Sequence, residues 1–271
     1  MLDTRIAIVV MNAPFGEVEK NLDAIEKWST AAAAQGASIV CFPELTLTGY
    51  YARPEIRGVA IPADGPEVRR FTAVAEGLNL TILAGMAETD PATGRIYATH
   101  MAAGPEGVIG AYRKTHLGPP EQAVFSAGDS VPVFRTEEFS FGIQLCYDAH
   151  FPELSASMAL DGAEVLFMPH ASPGRSPDEK LASWMRHMPA RAFDNGLYVI
   201  ACNQCGKNGQ GLSFPGVSVV IGPSGDVLAS YAGMDAHMTL MDLFSDDLAS
   251  VRGHRMRYFL PNRRPGLYLR R

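Results

Sequence analysis

No stretch of this chain reaches the roughly 18 uninterrupted apolar residues that a membrane-spanning helix requires, so no membrane partner is expected. Cysteine is scarce. The four in 271 residues stand at 41, 146, 202 and 205, too few for a disulfide scaffold and suited to free thiols in a reducing cytoplasm. The opening MLDTRIAIVVMNAP has neither the charged n-region nor the small-residue cleavage site of a signal peptide, which fits the same compartment. Basic residues do not cluster outside the terminal RRPGLYLRR, and the net charge is −6, which argues against nucleic acid as a partner. Metal-ligand spacing is missing too. Cys202 and Cys205 form one CNQC pair, but a zinc site needs about four ligands and no second CxxC exists. No metal or other cofactor is expected, and both thiols are read as core.

What is present is a folded globular composition with enough apolar residues for a large core. Residues 5–11, RIAIVVM, read as a buried strand. Residues 17–35 show helical spacing at Val18, Leu22, Ile25 and Trp28, with Gly36 as the stop. SIVCF, LTILAGMAE, PVFRT, FSFGIQLC, EVLFMP, LYVIACNQ, SVVIG, DVLASYA and HMTLMDL read as further strands. RIYATHMAA and GVIGAYRK form a hairpin around Gly104–Gly107. Helices are expected near 65–78, 152–161 and 178–195, and the tail 252–271 reads as basic and irregular. No linker stands out. Residues 1–271 are therefore expected to form a single α/β domain, with two mixed sheets packed together and helices outside.

Three reactive residues share one kind of position. Glu44 lies just past SIVCF, Lys114 ends GVIGAYRK, and Cys146 ends FSFGIQLC. Ligands of layered α/β folds bind beyond the carboxyl ends of strands, where loops converge. A carboxylate, an ammonium and a thiol meeting there suit acyl transfer. An ordinary thiol with a pKa of about 8.5 is only slightly ionised at neutral pH, so a base must take its proton as it attacks a carbonyl carbon. Glu44 fits that base and can return the proton to a leaving amine. Lys114 and the backbone N–H after Cys146, that of Tyr147, fit the developing oxyanion.

These segments resemble the nitrilase superfamily of carbon–nitrogen hydrolases. CFPELTLTGY is similar to its glutamate motif, YRKTHL to its lysine motif and CYDAHFPE to its cysteine motif, in the family's order. MPARAFDNGLYVIACNQCG, SFPGVSVVIGPSGDVLA and NRRPGLY extend the likeness almost end to end. The resemblance implies a four-layer α-β-β-α sandwich and a Glu44–Lys114–Cys146 triad acting through a thioester without metal or cofactor. It also implies a second glutamate that orients lysine and substrate, matched by Glu121 in HLGPPEQAVFSAGD. Family members pair through helices and tails. A homodimer or larger even-numbered oligomer is therefore expected, with the tail from about 252 in its contacts.

Asp148 is expected to brace the turn that presents Cys146, and His116 to make a structural hydrogen bond. His150, four past the thiol, and His170, after EVLFMP, are candidates to line a substrate pocket with Tyr147. Arg175, Trp184 and Arg186 are further candidates for substrate contact. The expected substrate is a small linear amide or N-carbamoyl compound, cleaved with release of ammonia. A nitrile substrate is the enzymatic alternative, although nitrilase motifs usually carry Trp-Glu where this chain has Tyr147-Asp148. A catalytically silent interaction module of the same fold and a zinc-binding protein are the non-enzymatic ones.

Overall fold

The computed structural model describes residues 1–268. β1 (Thr4–Val10), α1 (Val18–Ala34), β2 (Ile39–Cys41), β3 (Ile61–Pro62), α2 (Pro66–Leu78) and β4 (Thr81–Thr89) come first. The hairpin β5 (Ile96–Gly104) and β6 (Gly107–Arg113) follows, then β7 (Val133–Arg135), β8 (Ser140–Ile143), α3 (Pro152–Leu160) and β9 (Val165–His170). Two short helices, α4 (Pro177–Trp184) and α5 (Met188–Asn195), lead to β10 (Tyr198–Asn203) and a small ribbon, β11 (Gly206–Lys207) and β12 (Ser213–Phe214). β13 (Gly216–Ile221), β14 (Val227–Gly233), β15 (His237–Leu243), α6 (Ser245–Arg252) and α7 (Pro265–Tyr268) complete the described chain.

The strands form two large mixed sheets. The first has the order β15-β1-β2-β4-β5-β6, with β3 also on β4; β1, β2 and β4 are parallel. The second has the order β14-β13-β10-β9-β8-β7, with β8, β9 and β10 parallel. In both, the outer pairs are antiparallel. β6 is antiparallel to β5, which is antiparallel to β4, so β6 ends on the same side as β2 and β4. β2 and β6 therefore deliver Glu44 and Lys114 to one rim, and in the second sheet the parallel β8 and β9 carry Cys146 and His170 toward a common end.

The side-chain pattern explains the stacking. β1 is apolar on both faces, as a strand covered on both sides must be. Ile6 and Ile8 join the core shared with Phe141, Ile143 and Phe167 of the second sheet. Ala7 and Val9 face Leu22 and Ile25 of α1 and Phe71 of α2. On the far side, Leu154 and Met158 of α3 and Met188 and Ala192 of α5 cover the second sheet. Gly142 permits the close approach of α3, because a Cβ there would lie 2.5 Å from Met158 Sδ. The order is helix, sheet, sheet, helix, as the resemblance implied.

The helix expected over 178–195 is two helices. His187 leaves helical geometry at φ −138°, and Pro189 opens α5. Proline has no N–H to give and clashes with the preceding turn, so it starts a helix more readily than it continues one. The tail is less irregular than expected. Residues 260–262 form a 3₁₀ turn that buries Leu260, and the Phe259 ring packs at a tilt against Phe193 of α5 with centroids 5.5 Å apart. Part of the tail thus packs on its own chain, while Leu267 and Tyr268 are exposed. The last residues of the expected contact tail, 269–271, lie outside the described residues. Among the described residues, no helix is long and apolar enough to cross a membrane.

Candidate active site

The ladder of β8 ends at Ile143, three residues before the thiol. Gln144 stays in line through its N–H bond to Phe167 O, at 2.9 Å. Leu145 remains extended, and Cys146 then turns to φ +46° at the head of a 3₁₀ turn, Cys146–His150. A non-glycine residue in the left-handed region carries strain and persists only where its surroundings hold it. Asp148 does so. Its fully buried carboxylate accepts the Leu145 N–H (2.9 Å) and the Tyr112 hydroxyl (2.8 Å) on Oδ2, and the His116 N–H (2.9 Å) and Thr115 hydroxyl (3.0 Å) on Oδ1. This is the brace expected of Asp148. The His116 ring lies 2.9 Å from the same carboxylate and stacks on Phe151. Cys146 itself is half-buried.

Glu44 reaches the rim on a loop laid along β4. Phe42 N–H bonds Leu83 O, Leu47 N–H bonds Gly85 O (both 2.8 Å), and Ala87 N–H bonds Thr48 Oγ1 (3.0 Å). Gly85 makes this possible: a Cβ there would lie 2.5 Å from Leu45 N and 3.3 Å from Glu44 C. Leu45 also has positive φ, at +54°. The bends carrying the carboxylate and the thiol thus share the same uncommon backbone geometry.

The Lys114 ammonium is buried between two buried carboxylates, 2.9 Å from Glu44 Oε1 and 2.8 Å from Glu121 Oε1. Glu44 Oε2 accepts the Ala171 N–H (2.9 Å), and Glu121 Oε2 accepts the Gly118 N–H (2.7 Å). Gln204 Nε2 holds the Glu44 backbone carbonyl at 2.8 Å. An ammonium has three donors, and the carboxylates engage two, leaving one for a substrate oxygen. Buried ions survive only with partners of this quality. The two prolines before Glu121 do not displace it: Pro119-Pro120 belong to the turn that brings it to Lys114.

Burial pushes the Glu44 carboxyl up to about 7, Lys114 pulls it back, and Glu121 adds to the rise. Burial disfavours charge on Lys114, but Glu44, the Cys146 thiolate and Glu121 outweigh it and raise its pKa well above the ordinary value. Burial raises the Cys146 thiol to about 12, with Glu44 acting in the same direction and Lys114 against. At neutral pH the thiol therefore keeps its proton until it attacks. It needs a base, and Glu44 titrates where an efficient one should.

The other candidates divide. His170 is buried at the end of β9, with its Nδ1–H on Met168 O (2.8 Å) and its ring against Trp184 (4.6 Å). Burial holds it well below the usual imidazole range. His150 is exposed, its ring 4.6 Å from that of His187 and 5.7 Å from that of Tyr147. Tyr147 is itself exposed and leans on Phe151. Trp184 is core, and Arg175 and Arg186 are exposed. Cys202 and Cys205 are buried, as read. Among the described residues, no group of three or more His, Cys, Asp or Glu side chains is placed to hold a metal ion.

Sequence reasoning missed several contributors. Tyr50 is buried where Glu121, Glu44, Lys114 and Cys146 all act on its hydroxyl; burial and then the two carboxylates raise its pKa. It stands inside the quoted CFPELTLTGY. Asn203 and Gln204 lie where β10 ends, the position type that singled out the triad, but the neighbouring cysteines drew the reading. Asn203 Oδ1 accepts the Ser172 N–H (2.8 Å), and its Nδ2 donates to Ser172 O (3.0 Å).

A strained thiol elbow beside a carboxylate–ammonium–carboxylate cluster defines a nucleophilic hydrolase site. Residues 5–252 match the carbon-nitrogen hydrolase family, and the chain belongs to that family, within the nitrilase superfamily. It is 33% identical over 262 residues to a nitrilase of Pyrococcus abyssi, covering 93% of each chain. It is 32% identical to an N-carbamoylputrescine amidase of Solanum lycopersicum, covering 93% of this chain and 89% of the other. A solved mutant of the amidase from Nesterenkonia sp. AN1 superposes with a TM-score of 0.84 at 27% identity, covering 98% of this chain and 95% of that one. That structure shows covalent addition of the acetamide moiety of fluoroacetamide at the active site cysteine.

Proposed function

We propose that the chain is a thiol-dependent amidohydrolase that cleaves the C–N bond of a small linear amide or N-carbamoyl compound and releases ammonia. The observation that carries this reading is the Lys114 ammonium fixed between buried Glu44 and Glu121 beside the Cys146 elbow. Cys146 Sγ attacks the carbonyl carbon while Glu44 takes the thiol proton. The free donor of Lys114 and the Tyr147 N–H meet the oxyanion. Glu44 returns its proton to the departing nitrogen as the C–N bond breaks, leaving an acyl-thioester. It then deprotonates the water that attacks the thioester, and protonates Sγ as the C–S bond breaks. Glu121 holds Lys114 in place, and His170, Tyr147 and His150 border the approach. A relative named an amidase with a covalent adduct at its cysteine supports the same route. Four unpaired thiols suit a reducing cytoplasm.

Ammonia release from purified protein, measured across linear amides, carbamoyl amines, carbamoyl amino acids and nitriles, tests the reading. Turnover is expected in the first three classes. kcat/KM should fall as pH drops below about 7, because protonated Glu44 cannot accept the thiol proton. Chelators should leave the rate unchanged, since the chain's own groups supply nucleophile, base and oxyanion donors. Turnover confined to nitriles, or a rate abolished by chelation and restored by zinc, would overturn it.

We also propose an even-numbered homo-oligomer. Phe193, Phe259, Leu267 and Tyr268 are exposed around α5 and the tail, and exposed aromatics with neighbouring arginines form an interface-like surface. Light scattering should give a dimer or a multiple of one for the full chain. A version ending at Asn262 keeps the packed Leu260, and is expected to dissociate more readily. A monomeric full chain at micromolar concentration would end the proposal.

A further inference from the structure

The rim holds a second cation that the chemistry above does not use. Lys180, on the first turn of α4, is half-buried. Its Nζ donates to Ser172 Oγ at 2.7 Å and makes a longer contact to Pro173 O at 3.4 Å. Its alkyl chain lies over Gly174, where a Cβ would stand 3.3 Å from Lys180 Cε. Among the described residues it makes no ion pair, in contrast to Lys114, which makes two.

The loop that holds Lys180 is fixed to the active site. Ala171 N–H bonds Glu44 Oε2, Ser172 is clamped through both its N–H and its carbonyl by Asn203, and Gly174 N–H bonds Ser213 O at 3.2 Å. Lys180 is thus anchored one residue from the group that orients Glu44. It is near enough to Cys146 for the two charges to act on each other: burial lowers the Lys180 pKa, and the thiolate opposes that. A half-buried ammonium without a carboxylate gives up hydration that only hydroxyl and carbonyl dipoles replace. An anionic group brought by a substrate would complete it.

We propose that Lys180, carried on the loop pinned by Asn203 and Ala171, is the specificity-determining residue of the site, and binds a carboxylate at the end of the substrate remote from the scissile C–N bond. Small amides or carbamoyl compounds with an anionic tail are then preferred over neutral ones, and a cationic tail is rejected. Lys114 serves the carbonyl and Lys180 the tail. The proposal rests on the amidohydrolase reading only for the position of the scissile group, so its test includes binding without turnover.

Binding of malonamate, succinamate, glutaramate and adipamate to Cys146→Ala protein should be measured by calorimetry against neutral straight-chain amides of matching length and γ-aminobutyramide. The best carboxylate is expected to bind about 10–100-fold more tightly than its neutral counterpart, the usual range for one charge-assisted hydrogen bond. Adding Lys180→Met should remove most of that advantage, and Lys180→Glu should shift preference to γ-aminobutyramide. In the Cys146 enzyme, Lys180→Met should raise KM for the carboxylate amide at least tenfold more than for the neutral one. A carboxylate that binds no better than its neutral counterpart would overturn the assignment, whatever the turnover. So would a Lys180→Met variant that weakens both equally, since a purely structural lysine would do that. Selective binding without ammonia release would instead defeat the amidohydrolase reading and leave Lys180 as a carboxylate receptor.

Discussion

Cys146→Ala is expected to fold like the parent and to lose turnover by at least about 10⁴-fold, since removing the nucleophile from a unit that acts together removes nearly all its chemistry. The fold should tolerate it. The thiol makes no hydrogen bond that the turn needs, and the Asp148 brace acts through Leu145, Tyr112, Thr115 and His116. The positive φ at 146 is as accessible to alanine as to cysteine. Thermal unfolding and amide turnover measured on one preparation check both parts. Residual activity near the parent's would remove Cys146 as nucleophile. Cys202→Ala and Cys205→Ala provide the control: both thiols are buried and have no part in the proposed chemistry, so each variant should retain most of the activity.

The second large effect is at Lys114. Lys114→Met removes the cation between two buried carboxylates and leaves Glu44 and Glu121 facing each other without compensation. Breaking a buried pair in this way costs about 3–5 kcal/mol, so the denaturation midpoint should fall sharply at pH 7. Turnover should fall by at least about 10²-fold from the oxyanion donor alone. Adding Glu44→Gln and Glu121→Gln removes the uncompensated charge. It should restore much of the stability and none of the activity. A stable single variant would mean that the cluster does not carry the charges its geometry implies.

Much of this site was legible before any coordinates because its chemistry demands particular residue types at particular places. A thiol, a carboxylate and an ammonium at strand ends, in CFPELTLTGY, YRKTHL and CYDAHFPE, are few enough to stand out. The hydrophobic runs were equally clear, since a strand covered on both faces leaves no polar position. The break at His187 was harder. Its neighbours carry helical spacing on both sides, and only Pro189 marks the restart.

What the sequence alone determined, then, is the set of reactive groups, the strands that carry them and the family to which they belong, because these depend on local composition and order. That Glu44 and Glu121 share one ammonium, and that Gly85 leaves space for the Glu44 loop, were decided only by tertiary structure. So were the Asp148 brace on the left-handed thiol and the anchoring of Lys180 on Ser172, next to the Ala171 N–H that holds Glu44. Each of these depends on groups far apart in the chain meeting at one rim. The pairing of β4 with β5 and of β5 with β6, and the packing of one sheet on the other, bring them there. No local pattern encodes such distances, because sheet order is set by burial summed over the whole core.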